Sequence, residues 1–293
     1  MLETIEARSV RTWAPDHIDQ DDEALLQQIH SRLLPARGIW VGRDQILVTR
    51  GAQQGLFLLA QLLVGANTHV GIESPGYPDA RNNFALRTQH LHDLDVGEHG
   101  LVMNQHMDGC DYVFVTPSHQ CPTTVTLSLA RRSELLARAS REDFVVIEDD
   151  HESELNFARR PTPALKSLDT EQRVIYRGQL VQNISAWTAL GIYFVAHGFH
   201  ESHVRNLIAR YRERAAQGGS ALWVTGPDTL DTLKLAQDLY RVGVVVEPGA
   251  FFYPTSPNHC ASTRLGYSSI ATEHIEPGVQ AMATVLKQHM RRR

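Results

Sequence analysis

The stretch VVIEDDHESELNF (residues 145–157) sets three β-branched apolar residues directly against three carboxylates. A short run of this kind predicts a strand buried on both faces, ending where the carboxylates begin. Similar runs recur at QILVT (45–49), THVGIE (68–73), YVFVT (112–116), RVIYRG (173–178) and LGIYFVA (190–196). Between them, QQGLFLLAQLL (53–63) and LSLARRSELLARASRE (127–142) repeat apolar residues at spacings of three and four, which predicts helices. Strands alternating with helices predict an α/β fold with a mostly parallel sheet flanked by helices.

After residue 196 the pattern changes. FHESHVRNLIARYRERAAQ (199–217) reads as a helix with Val204, Leu207, Ile208 and Tyr211 on one face. SALWVTG, LKLAQDLYRVG and VVVEPGAFF then read as strand, helix and strand, followed by STRLGYSSI and a final helix through EPGVQAMATVLKQHM. The expected organisation is a large domain over 1–198, with a short N-terminal segment, and a smaller α/β domain over 199–293.

The composition is that of a globular chain: 293 residues, 42% hydrophobic and 21% charged. A formal charge of −5 with scattered Lys and Arg gives no electrostatic footprint for nucleic acid. Cys110, Cys121 and Cys260 have no CxxC spacing, so neither a disulfide framework nor a structural zinc site is expected. No signal-peptide pattern and no long apolar run is present, so the expectation is a cytoplasmic protein with no membrane partner.

Seven ordered pieces carry a resemblance: VTRGAQQGL (48–56), ESPGYPDAR (73–81), VTPSHQCPTTVTLSLARR (115–132), VVIEDDHESELNF (145–157), PALKSLD (163–169), EPGAFF (247–252) and RLGYSSI (264–270). Together they resemble the aminotransferase-like domain of MocR/GabR-type regulators, within the fold type I pyridoxal phosphate (PLP) enzymes related to class I/II aminotransferases. The likeness covers nearly the whole chain from about residue 22. It implies a fold type I large domain with a smaller C-terminal α/β domain. In that family a winged helix-turn-helix precedes this domain. The chain begins almost at the aminotransferase-like part, so no DNA-reading module is expected.

The resemblance also assigns site residues. Gly51, Ala52 and Gln53 match the loop whose backbone amides, at a helix start, cradle the cofactor phosphate; by pattern alone the same residues make a strand-to-helix turn. Tyr77 matches an aromatic beside the cofactor ring, and Asp79 stands where members have an arginine. Asp149 matches the aspartate that keeps the pyridine nitrogen protonated, and an acidic strand end facing solvent is its plainer reading. His151 stands where the family usually has tyrosine, and His119 belongs to the same cleft. Arg264 matches the arginine that grips a substrate carboxylate, with a structural ion pair as the alternative. No metal is expected. For Asp149, His151 and Glu152, adjacent carboxylates on a strand end alternate faces, and the threefold spacing of His197, His200 and His203 drifts around a helix.

One segment departs from the family pattern. VIYRGQLVQNISAWTALGIY (174–193) aligns without a gap to the family form VIYxGTFSKTLxPGLRLGY. Val181 then replaces a phosphate-binding serine, Gln182 the Schiff-base lysine and Ala189 a phosphate-binding arginine. A neutral amide can neither hold PLP as an aldimine nor shuttle a proton. Losing two charge-assisted contacts of roughly 1.5–3 kcal/mol each weakens phosphate binding on the order of a thousandfold. Thr124 also stands where the family commonly has glycine.

These readings converge on a degenerate aminotransferase-like protein that has lost lysine-dependent transamination. Its old cofactor cleft, with Gln182 among the lining residues, is expected to bind a small carboxylate or amino-acid-like ligand and no cofactor. Three alternatives stay open: PLP-independent catalysis with His151 or Asp149 as acid/base, a non-catalytic sensor or partner of an active aminotransferase, and noncovalent use of PLP or PMP. A homodimer is expected because the resemblance implies sites at a subunit interface; a heterodimer with an intact homologue is the variant.

Overall fold

The structure is a computed structural model that describes residues 21–151, 162–178, 205, 220–255, 257, 260–268 and 270–291. Asp22 caps the first helix, α1 (Glu23–Gln28), accepting from the amides of Ala24 and Leu25. The chain continues through a π-helical turn (Ile29–Leu33) and a last turn (Leu34–Ala36) toward the main sheet.

That sheet has six strands in the order β3-β2-β1-β4-β5-β6. They are β1 (Val70–Ser74), β2 (Leu91–Gly97), β3 (Gly100–Leu101), β4 (Tyr112–Val115), β5 (Val145–Asp149) and β6 (Val174–Arg177). All pair in parallel except β3, which runs antiparallel to β2. The helices are α2 (Ala52–Leu63), α3 (Pro78–Ala85), α4 (Leu129–Glu142) and the short α5 (Leu165–Leu168).

Alternation along the strands explains why their sequences read as unbroken apolar runs. Val113, Val115 and Val146 pack with Leu94, Leu135 and Phe144 on one face. Phe114 and Ile147, their immediate neighbours, pack with Leu56, Ala60 and Phe84 on the other. Both faces are buried, so neither can be polar.

A second, antiparallel sheet has the order β7-β9-β8, with β7 (Ala221–Thr225), β8 (Glu247–Pro248) and β9 (Ser262–Gly266). Leu235 and Leu239 of α6 (Thr232–Arg241) pack with Val285 of α7 (Thr272–Arg291) beside it. A 3-10 turn, Gly249–Phe252, docks this part on the main sheet: the Gly76 amide donates to the Phe252 carbonyl at 2.8 Å. Among the described residues no helix is long and apolar enough to cross a membrane.

Two expectations need correction. QILVT does not enter a sheet: a 3-10 turn takes Arg43–Gln45, and the segment after it pairs with no strand, with Leu47 67% exposed. Of VVVEPGAFF only Glu247–Pro248 is strand, because the chain turns at Gly249. The strand expected at 190–196, the helix at 199–217 apart from Arg205, and the 198/199 boundary lie outside the described residues. Strand β2 and helix α3 went unread because charged and polar residues interrupt LHDLDVG and PDARNNFA.

Two buried ionisable groups hold the sheet's working end. Arg132 of α4, fully buried, donates to the carbonyls of Leu127, Pro163 and Pro117 at 2.9, 2.9 and 2.7 Å. Glu73 of β1 accepts from the Thr116 hydroxyl and amide and from Gln120, joining β1 to the chain leaving β4. Burial, with the charge of Asp149, pushes the Glu73 carboxyl up to about 7 against the hydrogen bonds from Thr116 and Gln120.

Arg132→Ala removes three hydrogen bonds, leaving the Leu127 and Pro163 carbonyls without this donor while Pro117 keeps the Leu127 amide, and should cost about 3 kcal/mol in urea unfolding, at about 1 kcal/mol per bond. A loss under about 1 kcal/mol would remove its role as a clamp. For Glu73 the raised pKa means that the folded state binds a proton the unfolded chain has released. Its contribution is therefore lost as pH rises from near 4.5 through about 7. Glu73→Gln keeps an acceptor oxygen and should flatten the fall in melting temperature over that window; an unchanged profile would show that Glu73 does not titrate there.

Candidate functional site

The connections out of β1 and β4 depart to opposite sides of the sheet, so the C-terminal ends of these strands border the crevice where open α/β sheets place their ligands. The chain at this end supplies Glu73, Tyr77, Thr116, His119, Asp149, His151 and Arg177.

At the end of β5 two consecutive carboxylates face opposite ways. Asp150, 2% exposed, receives Arg37 through two bonds (2.8 and 3.0 Å), the Ser118 hydroxyl at 2.5 Å and the Tyr176 hydroxyl at 2.8 Å. Burial works against the Arg37 charge, but Asp150 holds its pKa above the ordinary value. Burial and Asp150 together push the Tyr176 phenol upward. On the same face Glu148 accepts the amides of Leu165 and Lys166 at the start of α5 (2.6 and 2.8 Å), and burial raises it to about 7. These groups are fully engaged in structure.

Asp149 faces the other side, toward α2 and α3. It pairs with Arg177, its register partner across β5 and β6. Both are buried, at 2% and 8% exposure. The charge contact joins Asp149 Oδ2 to Arg177 Nη1, while Asp149 Oδ1 and Arg177 Nε, Nη1 and Nη2 have no hydrogen-bond partner. Arg177 was not singled out from the sequence. The available signal was an arginine closing a strand whose other residues are apolar or aromatic.

The helix start opposite this pair is formed by Gly51, with φ 84° and ψ 179°, a region essentially restricted to glycine. No side chain caps α2, so its first-turn amides keep their donors and the dipole presents positive potential. Further along the same turn, a Cβ built on Gly55 would sit 3.4 Å from Thr49 Oγ1 and 3.8 Å from Arg177 Nε. The guanidinium therefore lies against the first turns of α2.

Gln53 donates to the Tyr77 hydroxyl at 2.8 Å and to Asp79 at 2.6 Å, and Tyr77 donates to Asp79 at 3.1 Å. This triangle ties the start of α2 to the start of α3. Burial, then Asp79, pushes the Tyr77 phenol up. The rings of His119 and His151 meet edge to face with centroids 6.0 Å apart. Gln120 is a knot beside them, donating to Glu73 and to the Pro75 and Cys121 carbonyls and accepting from Thr123. In this loop Thr124 has φ 64°, which explains a preference for glycine and costs a β-branched residue strain.

The structure thus brings together Gln53 with Tyr77, His119 with His151, and Asp149 with the unforeseen Arg177. Ala52 opens α2 beside Gly51. Arg264 lies on β9, where Nη1 pairs with Glu247 Oε2 at 2.6 Å across the small sheet. Val181, Gln182, Ala189, Glu152 and the histidines at 197, 200 and 203 lie outside the described residues. Lys166 pairs with Asp169, and Lys234 and Lys287 lie on α6 and α7. Among the described residues no three His, Cys, Asp or Glu side chains form a metal-holding group. Burial raises the Cys110 thiol to about 11, which keeps it protonated at neutral pH.

No protein-family model matches the chain. It is 32% identical over 335 aligned residues to the HTH-type transcriptional regulator TauR of Rhodobacter capsulatus, covering 98% of this chain and 69% of TauR. It is also 32% identical over 164 residues to the probable rhizopine catabolism regulatory protein MocR of Rhizobium meliloti, where the match spans 56% of this chain and 33% of that protein. Among solved structures, the kynurenine aminotransferase of Pyrococcus horikoshii, in complex with PMP, superposes with a TM-score of 0.81 at 23% identity, covering 92% of this chain and 81% of that one. This last likeness shows the fold, type I of the aminotransferases. With a relative this similar along almost its whole length, the chain belongs to the MocR/GabR-type regulator family, in which it forms the aminotransferase-like domain.

Proposed function

We propose that this domain is a metabolite-binding module that takes a small carboxylate or amino-acid-like ligand directly in its cleft and does not carry out lysine-dependent PLP transamination. The observation that carries this reading is the Asp149–Arg177 pair. In the family pattern that aspartate faces a protonated pyridine nitrogen, which makes the ring an electron sink. Here Asp149 already holds a cation. A pyridinium brought to the same carboxylate would meet the fixed guanidinium, a like-charge contact in a buried site. The residues present therefore do not fit PLP.

The sequence supports the same reading through Gln182, where an amide stands in the aligned place of the lysine, and through Val181 and Ala189 in place of phosphate contacts. Kinship with transcriptional regulators favours sensing over turnover. An acid/base role for Asp149 is disfavoured by the pair itself, because protonating the carboxylate would leave Arg177 as a buried, unpaired charge.

Titration of the purified protein with PLP and PMP, followed by near-ultraviolet and visible absorbance and by equilibrium dialysis, tests the proposal. The expected outcome is no stoichiometric uptake at near-millimolar cofactor and no absorbance band that borohydride can trap. Stoichiometric uptake of either cofactor would sink it.

A further inference from the structure

We propose that Arg177 is the carboxylate receptor of the cleft, with Asp149 serving both to aim it and to take a hydrogen-bond donor from the same ligand. The assignment rests on the preceding reading that the cleft holds a ligand other than PLP.

Arginine offers carboxylates a side-on edge made of Nε–H and one Nη–H, whose two parallel bonds match the two carboxylate oxygens. In Arg177 the ion pair with Asp149 is a charge contact at Nη1, and none of Nε, Nη1 and Nη2 has a hydrogen-bond partner. A buried donor without a partner loses the full cost of its desolvation, so such atoms are rare in folded proteins and each calls for an explanation. Here three belong to one guanidinium, and two of them, Nε and Nη2, form its side-on edge.

The surroundings favour an anion at that edge. Nε lies toward the first turns of α2, beside Gly55, whose missing side chain leaves room that a Cβ would occupy. The uncapped start of α2 adds positive potential. The other buried arginines on this end of the sheet are already satisfied: Arg37 by Asp150 and Arg132 by three carbonyls. Asp149 Oδ1, buried and also without a partner, supplies the acceptor. Two donors in a fork with one carboxylate oxygen nearby complement a small acid that also carries an amino or hydroxyl group. Recognition is by hydrogen bonds and charge, with no bond made or broken.

The test is calorimetric titration of the wild-type chain and of Arg177→Lys, Arg177→Gln and Asp149→Asn with four probes: propionate, L-alanine, β-alanine and n-propylamine. In the wild type the two amino acids should bind more tightly than propionate, and propylamine should not bind. Arg177→Lys keeps the charge but loses the fork and should weaken every carboxylate roughly tenfold or more. Asp149→Asn should erase the advantage of the amino acids over propionate. Should the variants fold poorly, the Arg177 Nε–H resonance of isotopically labelled wild type must shift on adding propionate.

Carboxylate affinities unchanged in both Arg177 variants, or an Nε–H signal indifferent to propionate, would overturn this assignment while leaving a PLP-free cleft intact. A wild type that ignores all four probes would overturn it as well. Stoichiometric PLP uptake would instead remove the reading beneath it.

Discussion

Two buried carboxylates on consecutive residues terminate β5, and a charge can be kept away from water only if it is paired or hydrogen-bonded. Asp150 meets this requirement by drawing in Arg37 from the segment after α1, Ser118 from the loop after β4 and Tyr176 from β6. Asp149 meets it with Arg177 on the opposite face. Strand alternation does the sorting. Glu148, Asp150 and Tyr176 project to one face, where Glu148 also engages the backbone at the start of α5, while Ile147, Asp149 and Arg177 project to the face covered by α2 and α3. One residue's difference in position separates a structural network from the chemistry of the cleft.

On the proposed reading, that separation decides which buried acid meets a ligand. Glu148 and Asp150 are saturated by fixed donors, so nothing arriving from solvent can better their partners. Asp149 retains an oxygen without a hydrogen-bond partner and Arg177 three nitrogens, of which Nη1 meets Asp149 by charge alone. Around them stand the uncapped start of α2 and the Gln53–Tyr77–Asp79 triangle, which fixes the angle between α2 and α3. The strand ends thus combine a hydrogen-bonded frame with a small set of unsatisfied polar atoms, which the proposed reading assigns to a ligand.

The parallel sheet was legible because its central strands are buried on both faces, and burial leaves a run of β-branched residues that survives in the sequence as VVI or VFV. Strand β2 was not legible because its burial is partial and His92, Asp93 and Asp95 break the run. QILVT shows the converse: a β-like composition does not make a strand where no neighbour offers a ladder. Within the cleft, Gly51, Gln53, Tyr77 and Asp149 could be picked out because motif order carries them. Arg177 could not, since it occupies a position the motif leaves variable and its meaning depends on the register that sets it opposite Asp149. Arg264 was read in two ways, and the pair it makes with Glu247 follows from β8–β9 register, which no local pattern encodes.

On the reading proposed above, Gln182 and Arg177 are linked by the cost of burying charge. An aspartate built to face a pyridinium becomes, without the cofactor, a buried anion with no counter-charge. Such a group must either take up a proton or acquire a cation. A lysine at strand position 177 would satisfy the charge with a mobile point donor. Arginine balances it with a charge contact at Nη1 and still presents a planar edge. The same substitution that neutralises Asp149 therefore pre-orients a fork for an incoming carboxylate. On that reading the charge balance of the strand end and the selectivity of the cleft rest on one side chain.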